Sequence, residues 1–131
     1  MFTSDNGPTY NGGTDSPWFD SAKPFKSEYG YGKGFLNEGG IRVPMIASWP
    51  DGMKQIKRGG FVRQPAYLPD VMATCLELSG AKYPSDLPPC VGQSMVGALT
   101  GGSDAIHVDP IYWEHEGNAA MRWQNWKLVR E

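Results

Sequence analysis

The chain is poor in the residues that most readily announce a function. It has two cysteines and two histidines in 131 residues. That leaves no disulfide framework, and neither Cys75 nor Cys90 has a second cysteine at metal-binding spacing. Cys75 falls inside a helical pattern and Cys90 follows Pro88-Pro89, so both read as buried free thiols. There is no apolar run of membrane-spanning length and no internal repeat. A net charge of -2, with twelve scattered Lys and Arg, does not build the basic patch of a nucleic-acid or anionic-membrane surface, so neither partner is expected. Gly30-Tyr31-Gly32-Lys33-Gly34 matches neither the Rossmann nor the P-loop spacing.

What the chain has in quantity is glycine, proline and aromatic residues. Seventeen Gly and eleven Pro accompany five Trp and 40% hydrophobic residues. A disordered chain is less apolar than this, so the composition predicts a folded, loop-rich domain.

Phe2-Thr3-Ser4-Asp5-Asn6-Gly7 reads as a short strand that delivers a carboxylate and a carboxamide to its C-terminal end. Strand ends of open α/β sheets are where ligands bind. Asp5 and Asn6 offer hard oxygen donors that suit Ca²⁺ or Mg²⁺ better than zinc or copper. The same residues are also ordinary turn formers. From Pro8 to about Asn37 the sequence has no sustained period and reads as a long irregular segment, whose aromatics, from Tyr10 to Tyr31, predict a packed loop. At its end Lys33 stands between Gly32 and Gly34, where backbone can approach a ligand beside an ammonium group, making Lys33 an anion-binding candidate.

Further on, 43–50 is an apolar run between prolines and predicts a buried strand covered on both faces. Residues 51–60 read as a basic solvated connection. Leu68, Val71, Met72, Cys75, Leu76 and Leu78 recur at helical spacing between Pro65 and a Gly80 stop. Asp70 sits in its first turns, favourable to the helix dipole. A short helix or turn is expected at 95–99. The segments 110–114, 119–123 and 126–129, broken at Glu116-Gly117-Asn118 and Gln124-Asn125, predict an antiparallel meander. His107 lies in a polar connection with no chemical role expected. His115, between Glu114 and Glu116, is the better acid/base or hydrogen-bonding candidate. Taken together, Asp5 and Asn6 could hold a hard cation and Lys33 an anionic group near it, a combination suited to a phosphate or sulfate ester.

Five ordered blocks then resemble the C-terminal half of the sulfatase (arylsulfatase) family, in the alkaline-phosphatase-like superfamily. They are Thr3-Ser4-Asp5-Asn6-Gly7-Pro8, Gly32-Lys33-Gly34 leading into Glu38-Gly39-Gly40-Ile41-Arg42-Val43-Pro44, Asp70 to Ala81, Gly92-Gln93-Ser94-Met95, and Trp113 to Asn118 running into Trp126-Lys127-Leu128-Val129. The resemblance implies an α/β fold: a partial alkaline-phosphatase-like sheet edge with one main helix over residues 1–105, and the start of a small antiparallel β subdomain over 106–131. It implies a sulfuric ester hydrolase in which Asp5 and Asn6 ligate Ca²⁺, Lys33 contacts the sulfate and His115 approaches the substrate, while Glu38 and Arg42 brace the loop. The family's histidine near position 67 is replaced by Tyr67.

The family's nucleophile, a formylglycine made from a Cys/Ser-x-Pro-x-Arg motif, has no counterpart here. It is expected upstream, on a longer chain of which this would be the C-terminal portion, inactive alone. The phosphodiesterase and phosphonate-hydrolase relatives, and a non-catalytic anion-binding module, are the competing expectations. The full-length partner would be a sulfate ester. The compartment stays open, with periplasmic, secreted and lysosomal settings all compatible. Exposed apolar edges predict self-association of the chain.

Overall fold

A computed structural model describes residues 1–9, 18–26, 31–54 and 59–131. The expected basic connection falls partly on 55–58, and Tyr10 and Tyr29 of the long loop also lie outside the described residues. The fold is mixed helix and sheet, and its residues group into two compact units, Met1–Ile46 with Asp109–Glu131 and Ala47–Val108.

In the first unit, β1 (Phe2–Thr3) pairs antiparallel with β2 (Met45–Ile46) in the register Phe2↔Ile46 and Thr3↔Met45. The Thr3 hydroxyl also donates to the Pro44 carbonyl at 2.9 Å. The strand expected over 43–50 is therefore present but short. It is not buried: Met45 and Ile46 are both exposed, because a two-stranded ribbon offers no cover for its faces. A one-turn helix, α1 (Glu38–Ile41), follows the Lys33 loop.

The meander has the expected form. Strands β3 (Ile111–His115), β4 (Asn118–Trp123) and β5 (Trp126–Arg130) make one antiparallel sheet in sequence order. Glu116 and Gly117 take φ of 49° and 85°, the paired positive values of a tight two-residue hairpin loop. Gln124 opens the second turn at φ 51°. Ile111 and Ala120 are buried on one face of this sheet, and Leu36 joins the buried set.

In the second unit, the main helix α2 (Pro69–Ser79) begins with Pro at its first position and ends on Gly80 at φ 68°, as the stop signal predicts. A short α3 (Val96–Leu99) packs against it. The buried residues of α2 are Asp70 and Thr74, whereas the apolar stripe Leu68, Met72 and Leu78 is exposed. Cys75 is exposed on the same stripe, and only Cys90 is half-buried, so the expectation of two buried thiols fails although both are free. The reason is a polar network that pins the opposite side of the helix inward.

That network starts at Asp70, which is fully buried. One carboxylate oxygen accepts from the Gln93 N–H at 2.7 Å and the other from the Tyr67 N–H at 2.9 Å. His107 Nε2 lies 2.8 Å from that second oxygen. One turn on, the Thr74 hydroxyl donates to the Asp70 carbonyl at 2.6 Å and accepts from the Met95 N–H at 2.9 Å. Met95 and Ala98 are buried apolar residues of this unit. A buried carboxylate costs several kcal/mol unless paired and hydrogen-bonded, and here every oxygen is engaged. Asp70 is thus a structural hub and not merely a helix-dipole residue. His107, expected to be idle, is one of its partners.

Candidate functional site

The candidate site is built by backbone before it is built by side chains. Past β1, the Gly7 N–H donates to the Gly40 carbonyl at 2.8 Å, and one residue later the Pro8 carbonyl accepts from the Lys33 N–H at 2.9 Å. These two bonds hold the Asp5-Asn6-Gly7 turn, the Lys33 loop and the Gly39-Gly40 helix start side by side. Only glycine permits such an approach. A Cβ on Gly7 would overlap the Gly39 carbonyl, and one on Gly40 would overlap the carbonyls of Phe35 and Gly32.

On this frame the candidate side chains stand as follows. Asp5 is exposed, and among the described residues its carboxylate makes no hydrogen bond or ion pair. Asn6 is half-buried and its Nδ2 donates to the Gly7 carbonyl at 2.9 Å, which leaves its Oδ1 as a free acceptor next to Asp5. Ser4 Oγ donates to the Asn6 carbonyl at 2.9 Å, closing the turn. Lys33 is exposed, with its ammonium unpaired among the described residues. Two adjacent oxygen donors, one charged and one neutral, fit part of the shell of a hard cation. No group of three or more His, Cys, Asp or Glu side chains that could hold a metal occurs among the described residues.

Glu38 has a different part. Its two oxygens accept from Lys127 Nζ at 2.7 Å and from Arg42 at 3.2 Å. Burial pushes its carboxyl up, but the hydrogen bonds and charges of Lys127 and Arg42 outweigh that and hold it below the usual glutamate range. The Arg42 guanidinium in turn lies 4.8 Å from the Phe25 ring centroid. Glu38 and Arg42 brace the loop, as expected, and Lys127 brings β5 into the brace. Asn37 Nδ2 to Glu131 Oε1, at 3.1 Å, is a second tie of the same kind.

A cavity of about 200 Å³ in this unit is lined by Phe25, Lys26, Tyr31, Asn37, Glu38 and Gly39, and by none of Asp5, Asn6 and Lys33. The candidate side chains Asp5 and Lys33 are instead exposed on the surface. His115 is exposed at the end of β3, with no hydrogen bond or ion pair among the described residues. Tyr67, where the resemblance led to the expectation of a histidine, donates its hydroxyl to the Val91 carbonyl at 2.9 Å and meets the His107 ring edge-on at 5.2 Å. Its burial raises the phenol, with the Asp70 and Cys90 charges acting in the same direction.

Steryl-sulfatase of Mus musculus is 36% identical to the chain over 101 residues, 75% of this chain. The chain belongs to the sulfatase family. A second relative, the ulvan-active sulfatase of Formosa agariphila, is 36% identical over 70 residues, 53% of the chain. These matches span 15% and 13% of the two relatives' own lengths. No protein-family model matches the chain.

The sequence named Asp5, Asn6 and Lys33 as candidates, and the structure places the backbone of their segments side by side. Sequence reasoning missed the Lys127–Glu38 pair and the Asp70–His107 pair. Residue types alone carried no signal for either, since the partners lie 89 and 37 positions apart.

Proposed function

We propose that this chain is the C-terminal portion of a calcium-dependent sulfatase with an alkaline-phosphatase-like core, and that it contributes half of a sulfate-ester site. Asp5 and Asn6 would hold the cation, and Lys33 would contact a sulfate oxygen. The observation that carries this reading is the backbone pairing of Gly7 with Gly40 and of Pro8 with Lys33. It sets the two candidate segments side by side, with the side chains of Asp5 and Lys33 both unpaired among the described residues. Family membership, and relatives named for steryl and ulvan sulfatase activities, support a sulfate ester as the substrate class.

In such a site the ammonium of Lys33 offsets charge building on the sulfate oxygens, which is most effective when the group is fixed beforehand. The Pro8 carbonyl, accepting from the Lys33 N–H, fixes the backbone from which that side chain extends. A bound calcium ion would supply further positive charge to the same oxygens. His115 would approach the ester from the end of β3.

The nucleophile is not among these residues. Cys75 and Cys90 are followed by Leu76-Glu77 and Val91-Gly92, and the nearest approach to the formylglycine motif, Ser48-Trp49-Pro50-Asp51-Gly52, has Gly where the motif needs Arg. Two ligands are also few for an ion that takes six to eight oxygens. The chain alone should therefore turn over neither an aryl sulfate nor an aryl phosphate. Measurable sulfate release by the purified chain would contradict the reading, and phosphate release would favour a phosphodiesterase or phosphonate-hydrolase relative.

A further inference from the structure

Lys127 stands on the covered face of the meander. The register puts Ile111, Arg122 and Lys127 in one cross-strand row and Trp113, Ala120 and Val129 in the next. Ile111 and Ala120 are 4% and 3% exposed and the Lys127 side chain 13%, so its ammonium needs a counter-charge close by. Glu38 supplies it at 2.7 Å. That carboxylate opens α1, a single turn that has no side-chain cap at Asn37 and is too short to be stable by itself. Both candidate segments nonetheless lean on this turn. The Gly40 carbonyl accepts from the Gly7 N–H, and Gly40 packs so closely on the carbonyls of Gly32 and Phe35 that a Cβ would not fit.

We propose that Lys127 is a positioning residue for the Lys33 loop, a role that rests on the half-site reading given above. Through Glu38 it anchors α1 to a hydrogen-bonded three-stranded sheet. From α1 that position passes through backbone contacts to Gly7, next to Asn6, and to Gly32, next to Lys33. Backbone packed on glycine has no side chain to take up slack, so a shift of α1 reaches Lys33 as a shift of its main chain. The other ties are weaker candidates for this part. Arg42 binds Glu38 from the end of the same turn, so that ion pair steadies the carboxylate without itself tying α1 to another element. The contact of Asn37 with Glu131, at 3.1 Å, is exposed to competing water.

Amide hydrogen exchange and a sulfate titration, both followed by NMR on the whole chain at neutral pH, test this. Lys127→Met and Glu38→Ala should each speed exchange of the Gly7 and Lys33 amides at least about tenfold, whereas Lys127→Arg, which keeps the ion pair, should hold the parent rates. Ile111→Val loosens the same sheet without touching Glu38, and should leave those two locally opening amides near the parent rates. Circular dichroism checks that each variant is folded. Sulfate should bind at least about threefold more weakly to Lys127→Met and to Glu38→Ala alike. Loss of a carboxylate would by charge alone tighten anion binding, so weaker binding to Glu38→Ala reports a displaced Lys33. Gly7 and Lys33 rates that match those of Ile111→Val overturn the proposal, as does sulfate binding that weakens in Lys127→Met and tightens in Glu38→Ala. A parent chain whose Gly32 to Gly34 amides ignore sulfate overturns the half-site reading instead, and the exchange rates then still decide whether Lys127 sets the loop.

Discussion

The Lys33 backbone N–H donates to the Pro8 carbonyl at 2.9 Å, three residues beyond Asp5. The cation-site candidates and the anion-site candidate are therefore held by main chain, independently of any ligand. The glycines beside this bond are what let three segments converge.

Substituting those glycines should be costly. Gly40→Ala puts a methyl group into the Phe35 and Gly32 carbonyls, and Gly7→Ala puts one into Gly39. Backbone atoms cannot swing aside as a flexible side chain can, so each variant should lose about 1–3 kcal/mol. Urea denaturation measures this, and a variant of unchanged midpoint would show that the segments are not packed as described.

Glu38 predicts an acid limb in the stability profile. Its carboxyl is held below the usual value, so the pair with Lys127 contributes fully above the unfolded glutamate pKa of about 4.3. That contribution is lost as pH falls through the lower folded value. Lys127→Met should remove about 1–2 kcal/mol near neutral pH and flatten the acid limb. Equal losses at pH 7 and pH 3 would contradict the assignment.

Asp70→Ala should be the most damaging single change in the second unit. It leaves His107 and the N–H groups of Gln93 and Tyr67 without their acceptor, at about 3–5 kcal/mol. Thr74→Val removes one donor and one acceptor, at about 1–3 kcal/mol. Thermal melts of the two variants should keep that order.

The two thiols should differ in reactivity. Cys75 is exposed on α2 and Cys90 is half-buried, so a thiol reagent added to native protein should modify Cys75 first. Peptide mapping after a short pulse identifies the site. Modification of Cys90 first would contradict the exposure of the helix stripe.

Much of the architecture was legible because it is local. The meander follows from two-residue alternation and turn formers, and α2 from Pro69 at its start and Gly80 at its end. Burial was less legible. Periodicity locates an apolar stripe on α2 but does not say that Asp70 and Thr74 will face inward, because their partners Gln93, Met95 and His107 are distant in sequence. In the same way, the run at 43–50 looks buried until its ribbon is seen to have no covering layer. At the candidate site, Asp5-Asn6-Gly7 alone reads as a turn. Its order with Lys33 and the Glu38-Gly39-Gly40 segment, through the family resemblance, is what made it a candidate half-site.

Titration of the isotope-labelled chain with calcium chloride and then sodium sulfate, followed by amide NMR, tests the half-site most directly. Two ligands should bind calcium weakly, near or above the 10⁻⁴–10⁻³ M typical of the weakest natural calcium modules, with shifts centred on Asp5 to Gly7. Sulfate should then shift Gly32 to Gly34, and Lys33→Met should abolish that response. Shifts scattered over the chain, or a sulfate response that survives Lys33→Met, would contradict the assignment of Asp5, Asn6 and Lys33 to one site.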